Sequence, residues 1–181
     1  MQSRFRAPSG DRAPDEQHPP DPREERRAAE QAALRILGGA AQSEAALRHR
    51  LERRGFSAEA SSAAAASAVG AGYVDDGALA RSIVERRRGR RGSVRIAAEL
   101  RARGLGDEVV RSAVAGVSPE EQRESAVREA RRRLRGGLPE DRVERRRVLG
   151  RIAGALSRLG FSGDAIAHAL AQAGADAPDD A

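Results

Sequence analysis

Three stretches of this chain repeat one pattern: an apolar residue, leucine four positions later, glycine four positions after that, then an apolar residue and an acid. They run Leu47–Leu51–Gly55–Phe56–Glu59, Ile96–Leu100–Gly104–Leu105–Glu108 and Ile152–Leu156–Gly160–Phe161–Asp164, at offsets of 49 and 56 residues. Apolar residues spaced i, i+4 mark one face of a helix. The glycine suits the position just past the helix end, where a left-handed backbone costs least without a Cβ. The apolar residue after it can fold back over the turn. Ser57 and Ser162 then stand where the next helix needs an N-cap, with Gly106 or Asp107 serving in the middle copy. Glu59, Glu108 and Asp164 fall in the positive first turn of that helix.

The helices that follow share a register. Ser61, Val110 and Ile166 correspond, as do Ala65, Val114 and Leu170. A further helical stretch precedes each motif, over about 25–37, 76–89 and 119–135. No segment alternates in the manner of a strand. The pattern predicts an all-α fold: an elongated, curved array of three tandem three-helix repeats, over 25–75, 76–117 and 118–173. Such units bury little apolar surface alone, so stacking shares the core between neighbours. Residues 1–24, with five prolines, read as a disordered tail, and 174–181 as a short acidic one.

Charge is concentrated in the repeats. Between 25 and 173 there are 29 arginines against 19 acids, a net of +10, and the chain has no lysine. Arginine in place of lysine fits a GC-rich genome, so the weight falls on clustering. Arg81, Arg86, Arg87, Arg88, Arg90, Arg91 and Arg95 surround the Gly89–Gly92 turn; Arg131, Arg132, Arg133 and Arg145, Arg146, Arg147 form two triplets. Guanidinium groups bind phosphate and carboxylate bidentately. These thirteen residues are the candidate contacts to an acidic partner or a nucleic-acid backbone. The alternative at each cluster is a solvated helix face with i, i+4 pairs such as Arg81–Glu85. Reversal at Arg87, Arg88 and Arg90 is expected to weaken partner binding without unfolding.

Several chemistries are disfavoured. No cysteine is present, which removes thiolate nucleophiles, zinc ribbons and iron–sulfur clusters. His18, His49 and His168 are scattered, and no Ser–His–acid spacing stands out. Asp75–Asp76 reads as a helix cap supplied by Asp76 rather than a metal pair. Tyr73 reads as a packing residue at a repeat junction. With no asparagine and one tyrosine, base reading and stacking are poorly supplied, so any DNA contact is expected to be backbone-directed and salt-dependent. No enzymatic activity and no cofactor are expected. Neither a targeting segment nor an apolar run long enough to span a bilayer is visible.

The stretch from Gly72-Tyr-Val-Asp-Asp76 through Ala80, the Arg-rich segment to Gly92, Arg95-Ile96, Glu99-Leu100 and Gly104-Leu105 resembles the RecX family. Upstream, Ser43-Glu44 with Leu47, Leu51 and Gly55-Phe56 is similar to that family's first repeat. The resemblance covers about 28–173, with 72–105 the specific part. Leu79 stands where the family usually carries Phe, and the third repeat matches least outside Leu156–Asp164. The resemblance implies a monomeric, cytoplasmic, non-enzymatic regulator that lodges in the groove of the RecA–single-stranded-DNA filament. It further implies suppression of strand exchange, ATP hydrolysis and co-protease activity, in homologous recombination, DNA repair and the SOS response. The competing readings are a general backbone-directed nucleic-acid-binding solenoid and an adaptor for an unrelated acidic protein.

Overall fold

The computed structural model describes residues 21–134 and 137–175. Among these residues the regular structure is nine α-helices with no strand. They fall into three consecutive triplets. Repeat 1 holds α1 (Pro22–Gly39), α2 (Glu44–Glu52) and α3 (Ala58–Gly70). Repeat 2 holds α4 (Asp76–Arg87), α5 (Ser93–Ala102) and α6 (Asp107–Ala115). Repeat 3 holds α7 (Pro119–Arg133), α8 (Arg142–Arg158) and α9 (Gly163–Ala175).

The chain enters α1 earlier than the proline content of the N-terminal tail suggested. Asp21 accepts a hydrogen bond from the Arg23 amide at 2.9 Å, and Pro22 occupies the first turn, where its missing N–H costs nothing. Residues 22–24 are therefore helix, not tail. The rest of that tail, 1–20, lies outside the described residues. At the other end α9 continues to Ala175, two residues into the segment read as the acidic tail, of which 176–181 lie outside the described residues.

Each triplet encloses its own apolar cluster. The repeated motif supplies the centre of all three: Leu47, Ile96 and Ile152, with Leu51, Leu100 and Leu156, are all at most 4% exposed. The turn after each of these helices closes in the same way. The amides of Phe56, Leu105 and Phe161 donate to the carbonyls of Leu51, Leu100 and Leu156 at 3.4, 3.2 and 3.2 Å. The intervening Gly55, Gly104 and Gly160 have φ of 92°, 80° and 81°, the left-handed conformation the spacing called for. Repeat 1 otherwise builds its core from alanine, with Ala29, Ala32, Ala33, Ala60, Ala64, Ala65 and Ala68 buried between α1 and α3. Short side chains at a helix contact let the axes approach closely. Ser57 and Ser162 cap α3 and α9, each accepting from the amide three residues on at 3.2 Å. In the middle copy Gly106 takes the cap position of α6 without a side-chain bond.

Adjacent repeats are joined through the second helix of each. At the junction of repeats 2 and 3, the amides of Gly92 and Val94 at the start of α5 donate to the carbonyls of Leu159 and Gly160 past the end of α8, at 2.9 and 3.2 Å. The backbones touch: a Cβ on Gly92 would lie 2.0 Å from the Gly160 oxygen, and one on Gly160 would lie 2.3 Å from the Arg95 Cβ. The junction of repeats 1 and 2 places the start of α2 against the end of α5 in the same sense. The buried Ser43 hydroxyl donates to the Arg103 carbonyl at 2.6 Å and accepts from the Ala46 amide at 3.1 Å. Thus α8, α5 and α2 follow one another end to start, each helix end supplying carbonyls at or beside the next helix's first turn.

Two sequence expectations change here. Asp75, not Asp76, caps α4, accepting from the Ala78 amide at 2.8 Å. Asp76 instead accepts from the Glu44 amide at 3.0 Å, so it helps hold repeat 2 against the start of α2. Among the described residues no group of three or more His, Asp or Glu could hold a metal ion. Tyr73 is 63% exposed; its neighbour Val74 is the residue that turns inward, joining the repeat 1 core.

Candidate functional site

The arginines around the turn between α4 and α5 divide into two groups. Arg87 reaches across the turn and grips Glu99 of α5 with both prongs of its guanidinium, Nε to Oε2 at 2.8 Å and Nη2 to Oε1 at 2.9 Å. That hydrogen-bonded pair holds the Glu99 carboxyl below the usual carboxylate range, against the opposing effect of its partial burial. Arg88 bonds Glu85 one turn back, the Gly116 carbonyl at the end of α6 at 3.1 Å and, across the repeat junction, Glu121 at 2.6 Å. Arg87 and Arg88 thus tie the fold together. Reversing them would act on packing as well as on the surface. Arg86 is exposed and bonds Ser82 at 2.6 Å, one turn back. Arg81 is exposed on α4 beside Gly77 and Glu85.

The second group is Arg90, Arg91 and Arg95. All three are exposed, and none has a hydrogen bond or ion pair through its side chain among the described residues. Gly89, with φ of 73°, turns the chain out of α4, and the amides of Arg90 and Arg91 both return to the Arg87 carbonyl at 3.0 Å. Arg95 lies in the first turn of α5, which has no acid to match it and no side-chain cap. A cation at a helix start is electrostatically unfavourable. It is held there by its backbone, which packs on Gly160. The turn therefore presents three unneutralised guanidinium groups on a support fixed by the junction of repeats 2 and 3.

The two triplets lie elsewhere. Arg131, Arg132 and Arg133 end α7, where cations suit the negative helix terminus. Arg132 and Arg133 both pair with the buried Glu129. Arg131 is exposed. Arg145 donates to the Pro139 carbonyl at 3.0 Å, fixing the connection into α8, while Arg146 and Arg147 are exposed near the start of that helix. The two triplets flank the same connection between α7 and α8. At 1.5 Å per residue, the span from Arg147 to Leu159 along α8 puts the 145–147 triplet about 18 Å from the 89–92 turn. The structure does not gather the thirteen arginines into one surface.

A further basic cluster was not singled out from the sequence. Arg48, Arg50, Arg53 and Arg54 line one groove along α2, together with His49 and with Arg103 from the end of α5. The signal was present as four arginines within 48–54, but the segment was read for its leucines.

These features define a class: a helical-repeat protein with exposed arginine clusters at its repeat junctions. No helix is long and apolar enough to cross a membrane among the described residues. Comparison with known proteins gives the class its family. The model of the RecX second three-helix domain matches residues 75–114. The chain is 34% identical over 134 residues to the regulatory protein RecX of Mycolicibacterium vanbaalenii, covering 71% of this chain and 73% of that one. It is 38% identical over 134 residues to the regulatory protein RecX of Thermobifida fusca, covering 71% and 69%. The crystal structure of RecX from Lactobacillus salivarius superposes with a TM-score of 0.72 at 19% identity, over 84% of this chain and 99% of that one. The chain belongs to the RecX family. Its relatives are named as regulatory proteins, not as enzymes.

Proposed function

We propose that this protein binds the filament that RecA forms on single-stranded DNA and restrains its strand exchange, ATP hydrolysis and co-protease activity, within recombinational repair and the SOS response. Family membership gives the reading its direction. The observation that carries it to a surface is the turn bearing Arg90, Arg91 and Arg95, three cations unpaired among the described residues, on a backbone-bonded repeat junction inside the segment that matches the family model. On this reading the units 25–75, 76–117 and 118–173 act as successive footholds along an elongated partner, in the cytoplasm and as a monomer. Arg81, Arg86 and the exposed members of the two triplets extend the contact.

The test is ATP hydrolysis by RecA filaments assembled on single-stranded DNA before the protein is added. Wild-type protein is expected to depress the rate at or below stoichiometric amounts. The triple variant R90E/R91E/R95E is expected to need at least about tenfold more protein, since each lost charge-assisted contact is worth roughly 1–3 kcal/mol when made. No inhibition by the wild type would overturn the function; equal inhibition by the variant would overturn the surface. Loss of inhibition on adding excess free DNA would instead favour a solenoid acting by competition for DNA.

A further inference from the structure

We infer that the groove along α2, at the junction of repeats 1 and 2, is a binding site for the phosphate backbone of a nucleic-acid strand. The inference stands apart from the RecA reading, because it concerns a different repeat junction and a ligand that needs no recombinase.

The groove has a volume of about 930 Å³. Its walls carry five arginines, Arg48, Arg50, Arg53, Arg54 and Arg103, with His49 beside them and no Asp or Glu. Other grooves on the molecule each carry at least one acid. The one between α4 and α6 sets Arg81 against Glu85 and Glu108, and the one on α8 sets Arg147 and Arg151 against Glu144. Within the α2 groove, Arg48 meets only Glu52, at 3.9 Å, and Arg103 meets Glu99 at 3.4 Å. Arg50, Arg53 and Arg54 have no side-chain hydrogen bond or ion pair among the described residues. The like charges of Arg50, Arg53 and Arg54 repel one another, and no carboxylate among the described residues pairs with them. A polyanion would.

The floor decides which polyanion. It is made of Ala40, Ala41, Ala45, Ala46 and Ala102 with Leu79, and carries no aromatic ring. Protein partners draw their affinity from large apolar or aromatic anchors seated in pockets. A shallow alanine floor offers none. Regularly spaced phosphates need only cations and room, and guanidinium forks match them. From Ser43 to Arg54 the flank of α2 is about 16 Å long. At 3.4 Å per phosphate along a stacked strand, that accommodates roughly five phosphates. Without stacking side chains or base-reading amides, binding is indifferent to sequence.

Fluorescence anisotropy with a labelled thymidine oligonucleotide, in the absence of RecA, tests the site. The wild-type chain is compared with R50Q/R53Q/R54Q and with A41E, which keeps every arginine but puts a carboxylate at the groove. Both variants are first checked for unchanged thermal unfolding. Each is expected to weaken binding at least tenfold, and the triple variant to lower the slope of log K against log salt by about 2. R90Q/R91Q/R95Q, at the junction of repeats 2 and 3, is expected to bind as the wild type does. A duplex arm tells a single strand from a double one as the source of the phosphates. Wild-type affinity in both groove variants, or capture of poly-aspartate in preference to the oligonucleotide, would overturn the proposal.

Discussion

Ser61 carries its hydroxyl into the alanine core of repeat 1, fully buried and without a hydrogen-bond partner. An unsatisfied buried hydroxyl costs about 1–3 kcal/mol. Ser61→Ala keeps the volume nearly unchanged and removes that cost, so it is expected to stabilise the chain by about 1 kcal/mol, read as a higher urea midpoint with an unchanged slope. Glu99 behaves oppositely. Arg87 lowers its pKa in the folded state, so its contribution is complete above the unfolded value of about 4.3 and is lost as pH falls through the folded one. Melting curves of the wild type and Glu99→Gln are therefore expected to differ at pH 7 and to converge only as the pH falls through the lowered folded value. A gap that did not shrink with acidification would mean that Glu99 acts through packing rather than charge.

At the scale of helices, stability rests on the junctions as much as on the clusters. Gly160 combines a φ of 81° with a backbone contact to Arg95 that leaves no room for a Cβ. Gly160→Ala is expected to cost about 2 kcal/mol or more, and to speed hydrogen exchange at the Gly92 and Val94 amides first. Gly104 shares the left-handed backbone, but there the tightest contact a Cβ would make is with the Ser43 side-chain oxygen, at 3.1 Å, with Ala45 Cβ at 3.4 Å and Ala46 N at 3.5 Å. Gly104→Ala is expected to cost less, about 1 kcal/mol. The helices themselves were legible in the sequence because their signals are local: apolar spacing, a glycine stop, a serine or aspartate start. The junctions were not. Asp76 reaching back to Glu44, and Arg88 crossing to Glu121, join residues 32 and 33 positions apart, and no spacing rule marks them. The same limit hid the α2 groove, whose Arg103 is brought beside Arg48–Arg54 only by the stacking of repeats. It also made Arg87 and Arg88 look free, since their partners lie across a turn or in the next repeat.

Across the whole molecule, three small cores joined at two junctions should behave as coupled units rather than one block. Leu51→Ala opens a cavity in repeat 1, with an expected loss of about 2–5 kcal/mol there, while hydrogen-exchange protection in α7 and α9 is largely retained. The same architecture places an arginine turn at the junction of repeats 2 and 3 and an arginine groove at the junction of repeats 1 and 2. Docking to a RecA filament through the first of these is measured most directly by co-sedimentation. RecA is locked on single-stranded DNA with a non-hydrolysable ATP analogue, and the pelleted fraction of this protein is followed as its concentration rises. Saturable pelleting that survives an excess of free oligonucleotide and falls at least tenfold in affinity for R90E/R91E/R95E is the expected result. Pelleting that vanishes with competitor DNA, or that the three reversals leave unchanged, would contradict it.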